Sequence, residues 1–178
     1  MLMREQRGFG MLEALISMVV IMIGVLGMVG MQMLAINNTE NARYQSIAAM
    51  HASSMTAQML ANTTYWGTPP NTVTVNGGTV TGIPSSTVDC GLTVCTAAQM
   101  AYYDVKAWGG AMKTGTSALP SGQGAINCVT TVSPAVCTLT MTWTEKNIAL
   151  TNSTGTETGQ LASGTSKTYD YKTMVSIQ

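Results

Sequence analysis

Charge is what this chain has least of. Its 178 residues hold 8 basic and 8 acidic side chains, for a formal net charge of zero. A surface that captures nucleic acid electrostatically needs a basic excess, so no nucleic-acid partner is evident. Histidine is almost absent, with His51 the only one. Nucleophilic catalysis by a hydroxyl or thiol needs a base partnered with that nucleophile. His51 stands among Met and Ala in a helix-forming stretch, with no partnered nucleophile in the pattern. It reads as a packed helix residue. The acidic residues are scattered, so neither paired carboxylates nor a metal cluster stands out. A phosphate-cradling glycine loop of the usual pattern is also missing. No enzymatic activity, no cofactor and no metal are expected.

What the chain does have is unevenly spread. From Phe9 to Ile36 it is almost wholly apolar, and Glu13 is the one ionisable residue in that run. Ala14 to Met31 is 18 residues without a charge, about 27 Å as a helix. With its flanks, that length spans a bilayer. The short leader before it, residues 1–8, carries Arg4 and Arg7. A basic leader stays on the cytoplasmic side, which puts the C-terminal bulk outside. An ordinary secretory signal ends in a small-x-small cleavage site, and no convincing one succeeds this run.

Helix-compatible sequence continues instead. Met33 to Asn62 contains no proline, and Ile36, Tyr44, Ile47, His51, Met55 and Met59 recur mainly at three- and four-residue steps. That spacing makes one apolar stripe. One helix is therefore expected from about Met11 to Asn62, greasy all round in its first half and amphipathic in its second. The abundant methionine (15) suits membrane and core packing. Gly24, Gly27 and Gly30 interrupt the apolar half. They fit close helix packing in a membrane or a segment able to unwind locally, and both readings stay open.

Gly67, Pro69 and Pro70 in "TTYWGTPPN" should end the helix. Thr, Ser, Gly and Val dominate the remainder of the chain, and the pattern turns β-like. "TVTVNGGTV" predicts a hairpin around Asn76-Gly77-Gly78. "CTAAQMAYYDVKAWGGAM" predicts a short helix with a Thr96–Gln99 capping box. Asp104 and Trp108 would share a face of it, in structural roles. "LPSGQGAINCVTTV" is a turn feeding a strand. In "VCTLTMTWT" Cys137, Leu139, Met141 and Trp143 alternate with threonines, a half-buried strand. Asn147–Lys167 is polar and Gly/Ser/Thr-rich and reads as a loop. "TYDYKTMVSIQ" is a final strand with Tyr169, Tyr171, Val175 and Ile177 on or near one face. All four cysteines, Cys90, Cys95, Cys128 and Cys137, lie beyond the apolar run. An even number beyond a membrane anchor suggests disulfides in an oxidising compartment. Zinc fits less well, because the spacings are unusual and no His is near. Three pairings are possible, and proximity favours Cys90–Cys95 and Cys128–Cys137.

At the N-terminus a basic leader ends in Gly8. Phe9 is next, and Glu13 is the fifth residue counted from Phe9, inside an apolar helix. This resembles the type IV pilin and pseudopilin family. The resemblance implies cleavage between Gly8 and Phe9 by the prepilin peptidase, N-methylation of Phe9, and an assembly role for Glu13. Gly10 stands where that family more commonly has Thr or Ser. "IGVLGMVGMQ", "MLANTTYWG", "CGLTVCTAAQMAYYDVKAW", "LPSGQGAINC" and "LTMTWTEKN" look like the PilV-type minor pilins, in the right order. Met59, Leu60 and Ala61 stand where that group commonly carries Arg. The implied fold class is α+β and pilin-like, a long N-terminal helix packed on a small antiparallel β-sheet head. The expected organisation is leader 1–8, transmembrane and assembly helix 9–36, amphipathic helix 37–62, and a β-rich periplasmic head 63–178. The implied role is that of a minor pilin that initiates or modifies type IV pilus assembly. Its partners would be other major and minor pilins and the prepilin peptidase/N-methyltransferase, with the bacterial inner membrane before assembly. A minor pseudopilin of a type II secretion system and a membrane-tethered adhesin or binding module are the alternatives.

Overall fold

The computed structural model describes residues 10–70, 72–129, 131, 134–147, 150–151, 157–161 and 165–177. The chain divides into a first unit ending at Glu40 and a second, Asn41–Gln178. Helix α1, Met11–Ala61, belongs to both. Its start and end agree with the expectation from proline-free, helix-compatible sequence. Its first half has no apolar stripe because it is apolar on every side. Its second half buries Ala48, His51, Ala52, Met55 and Met59. Tyr44 and Ile47 pack half-buried against the same core. Ile36, expected to begin this stripe, is exposed and lies in the first unit. The stripe thus begins about two turns later than the spacing suggested.

After α1 a single turn, α2 (Thr63–Trp66), buries Trp66 before Gly67 and the two prolines divert the chain. The Asn62 side chain donates to the Ala97 carbonyl at 2.8 Å and ties this exit to the next helix. Strands β1 (Thr72–Asn76) and β2 (Thr79–Thr81) form the expected hairpin, with Asn76 opposite Thr79. Its two-residue loop needs a left-handed residue, and Gly77 supplies it at φ +60°. Helix α3 (Ala97–Ala111) opens with the capping box. Thr96 Oγ1 accepts from the Gln99 N–H at 3.3 Å, and Gln99 Oε1 accepts from the Thr96 N–H at 2.9 Å. Two donors that the first turn would leave unpaired are thereby satisfied.

Strands β3 (Gln123–Val129), β4 (Ala135–Asn147) and β7 (Thr165–Ile177) complete a five-stranded antiparallel sheet in the order β2-β1-β3-β4-β7. Between β4 and β7, β5 (Leu150–Thr151) and β6 (Glu157–Leu161) pair with each other. The polar 147–167 segment was expected to be loop. Instead β7 begins at Thr165, and β4 and β7 stay in register out to Asn147 and Thr165. Backbone hydrogen bonding carries this end of the ladder without the apolar alternation that marks its middle.

Alternation in β4 sends Cys137, Leu139, Met141 and Trp143 into the core. Across the ladder Val175 faces Cys137, Tyr171 faces Met141 and Tyr169 faces Trp143. Val105, Trp108 and Met112 beside or within α3, and Met55 and Met59 of α1, share one cluster with them. Truncating any of these large buried side chains to Ala would remove about 2–5 kcal/mol of stability. The architecture is therefore α+β and pilin-like, an apolar N-terminal helix followed by a small antiparallel sheet.

Candidate functional site

In α1 the stretch Met11–Val29 is long and apolar enough to cross a membrane, and none of it is buried within the protein. Its 19 residues rise about 28 Å. Leu12, Leu15, Met18, Val20, Ile21 and Val25 are all exposed, around the whole circumference. A helix apolar on all sides needs an apolar medium, either lipid or other helices of the same kind.

Glu13 sits in the first turn of this helix. Its backbone N–H donates to the Gly10 carbonyl at 3.0 Å, and Ser17 Oγ donates to the Glu13 carbonyl at 2.7 Å. Both bonds use the backbone and leave the carboxylate available. An acidic side chain one turn from a helix start also meets the positive end of the helix dipole, a stabilisation of about 0.3–1 kcal/mol. That helps explain how a carboxylate is tolerated beside so much apolar surface, and it requires no catalytic role. Gly8 and Phe9, the expected cleavage junction, lie outside the described residues.

Residues 3–29 match the model of the prokaryotic N-terminal methylation motif. The chain carries a type IV pilin-like prepilin signal. The matched stretch holds Gly8, Phe9, Glu13 and most of the apolar run. This motif supports a pilin or pseudopilin, and it implies processing by the prepilin peptidase and association with pilins. With the apolar helix it fits anchoring in an inner membrane. No curated protein and no solved structure matches the chain.

The remaining candidates fall in the second unit and do not converge on a reaction centre. His51 is buried, and its Nε2 lies 2.8 Å from the Ser117 carbonyl. Trp108 Nε1 donates to the His51 backbone carbonyl at 3.2 Å. Histidine and tryptophan together pin α1, α3 and the α3–β3 connection to one another. Asp104 is half-buried on α3, and burial pushes its carboxyl above the usual carboxylate range. No group of three or more His, Cys, Asp or Glu is placed to hold a metal among the described residues.

Cysteine chemistry here is structural. Cys90 is bonded to Cys95, with Cα atoms 5.5 Å apart. Cys128 is bonded to Cys137, its directly opposite residue in the β3–β4 ladder, with Cα atoms 4.0 Å apart. One bridge clamps an exposed loop and the other staples two core strands. Glu145 is a buried residue that the sequence pattern did not single out. Its carboxylate accepts a hydrogen bond from Trp143 Nε1. Tyr169 stacks on the same tryptophan, with ring centres 6.0 Å apart. Extending the β4 alternation one step past Trp143 would have placed Glu145 inside.

Proposed function

We propose that the chain is a minor pilin of the PilV type that initiates or modifies assembly of type IV pili. The observation that carries this reading is Glu13 in the first turn of an all-round apolar helix, within the methylation motif. On this reading the organisation is leader 1–8, transmembrane and assembly helix 9–36, amphipathic helix 37–62 and periplasmic head 63–178. Hydrolysis of the Gly8–Phe9 peptide bond leaves a free α-amine on Phe9. Methylation of that nitrogen keeps its positive charge.

The amine and Glu13 of one helix lie about 6 Å apart along the axis. Axial stagger between neighbouring helices lets the amine of one subunit meet the carboxylate of the next. Two opposite charges in a low-dielectric bundle offset each other's desolvation only when closely paired. Glu13 therefore selects one register for each added subunit. The same apolar helix that anchors the subunit in the inner membrane is then buried among other subunits' helices in the pilus. The partners are other major and minor pilins, after processing by the prepilin peptidase/N-methyltransferase. Twitching motility, adhesion or DNA uptake would depend on the chain indirectly. Mass spectrometry of the membrane-extracted protein tests the processing step. The mature chain should begin at N-methylated Phe9. Retention of Met1, or an unmethylated Phe9, would overturn it.

A further inference from the structure

Strand β7 ends the sheet, and among the described residues no strand pairs with its outer side. It is 13 residues long and contains neither proline nor glycine. A long open edge of this kind is a template for another strand. Which residues offer the template follows from the ladder. Along an antiparallel strand, residues turn both backbone groups alternately toward one neighbour and then the other. Cys128 and Cys137 stand opposite each other with Cα atoms 4.0 Å apart, the close spacing of a pair that exchanges no backbone bonds. Cys137 therefore bonds the other way, to Val175. The β4–β7 register runs without a shift from Ala135–Ile177 to Asn147–Thr165. Tyr169, Tyr171 and Thr173 thus share the phase of Val175 and bond to β4. Counting across the sheet from the closing pair of the β1–β2 hairpin, Asn76–Thr79, gives the same phase. Thr168, Asp170, Lys172, Met174 and Ser176 then turn N–H and C=O outward, and all are exposed.

The side chains of these outward-bonding residues share one face. Asp170 and Lys172 carry the charges on it, as an exposed ion pair at 3.1 Å. Tyr171, between them, is the midpoint of β7. Laid antiparallel on a second copy of itself about Tyr171, the strand matches over its full length. Asp170 then meets Lys172 twice, and Thr168 meets Met174 twice. The bonding phase allows only registers that set an even-numbered residue opposite an even-numbered one. The next register on either side puts Asp170 opposite Asp170, or Lys172 opposite Lys172, and like charges directly opposite are unfavourable. A larger slide shortens the ladder and takes the two charges out of opposition. Exposed ion pairs contribute little affinity, so the charges choose the register while backbone bonds supply the attachment. Full overlap and charge pairing select the same arrangement, which makes the edge complementary to itself.

We propose that β7 pairs edge to edge with β7 of a second copy of this chain, antiparallel about Tyr171, with Asp170 of each copy opposite Lys172 of the other. The contact uses the same patch on both copies and closes at two chains. It also covers an edge otherwise open to non-native pairing. The site lies wholly in the second unit and does not rest on the filament reading.

The test uses the full chain in detergent micelles, dilute and concentrated. Sedimentation equilibrium should show dimers at the higher concentration. Amides of Thr168, Asp170, Lys172 and Met174 should exchange with solvent fast when dilute and at least about tenfold more slowly when concentrated. Those of Tyr169, Tyr171 and Thr173, bonded to β4, should be slow in both. Asp170→Lys and Lys172→Asp should each dimerise at least about fivefold more weakly, because like charges then face each other. Neither variant keeps the pair within its own chain, so mixing the two isolates the contact between chains. The mixture should form mixed dimers as tightly as wild type. Met174→Pro removes an outward N–H and spares the β4 ladder; it should weaken dimers while the melting temperature of the dilute chain holds. The proposal fails if no dimer sediments, or if the mixture dimerises no better than either variant alone. It fails equally if the outward amides exchange alike at both concentrations, as they would in a dimer held only through α1.

Discussion

Two neighbouring glycines in α3 should respond to the same substitution with opposite signs. Gly109 is buried, and a Cβ added there would overlap Val75 Cγ2 and the Gly77 carbonyl oxygen of the β1–β2 hairpin. The carbonyl is backbone, so it cannot swing aside as a side chain would. Gly110, one residue on, has nothing within 4 Å of its added Cβ. Alanine at either position gains up to about 1 kcal/mol of helix propensity. At Gly110 that gain stands nearly alone, so Gly110→Ala should stabilise by about 0.5–1 kcal/mol. At Gly109 overpacking of about 1–3 kcal/mol opposes it. The net for Gly109→Ala is then a loss of up to about 2 kcal/mol. Thermal unfolding with disulfides intact reads both, at about 2–4 °C per kcal/mol for a chain of this size. If Gly109→Ala melts at or above the wild-type temperature, α3 does not dock on β1 through that residue, and this packing is wrong.

Other variants probe the remaining links. Burial raises the Asp104 pKa, so the folded state holds a proton where the unfolded state has lost it. Stability from this group is fully present below the unfolded carboxylate pKa and is lost as pH rises through the raised folded value. Asp104→Asn should therefore be more stable than wild type at neutral pH, with the gain vanishing in acid. Denaturant midpoints across pH would show it, and a gain independent of pH would contradict the burial argument. His51→Ala should destabilise by about 1–3 kcal/mol, because the Ser117 carbonyl loses its partner in a half-buried site. A neutral result in urea titration would refute the anchoring role. Replacing Cys128 and Cys137 together by Ala should cost about 2–3 kcal/mol by loop entropy, and it leaves the β3–β4 register to the strands alone. Reducing agent should then no longer shift the melting curve by that amount.

The legible parts of the fold were those where one side-chain period runs uninterrupted. Strict alternation from Cys137 to Trp143 marked β4, and the Thr96–Gln99 spacing marked the start of α3. Adjacent glycines marked the β1–β2 turn. Asn147–Lys167 was misread because a ladder held by backbone bonds can outrun its apolar pattern, as β4 and β7 do. Ile36 was misplaced because an apolar residue at helical spacing looks the same whether it faces a core or lipid. Glu13 was conspicuous for a related reason: one charge in an apolar run stands out by contrast. The open edge of β7 left no such mark. Strand order puts it at the rim of the sheet, and no residue pattern within the strand records that order.

Glu13 carries the central claim, and incorporation of Glu13→Ala into sheared filaments tests it most directly. The variant should be cleaved, methylated and held in the membrane at wild-type levels. Breaking a buried ion pair from one side costs about 3–5 kcal/mol, so its abundance in filaments should fall by at least about tenfold. Wild-type abundance in the filament would contradict the claim that this carboxylate sets the register of assembly.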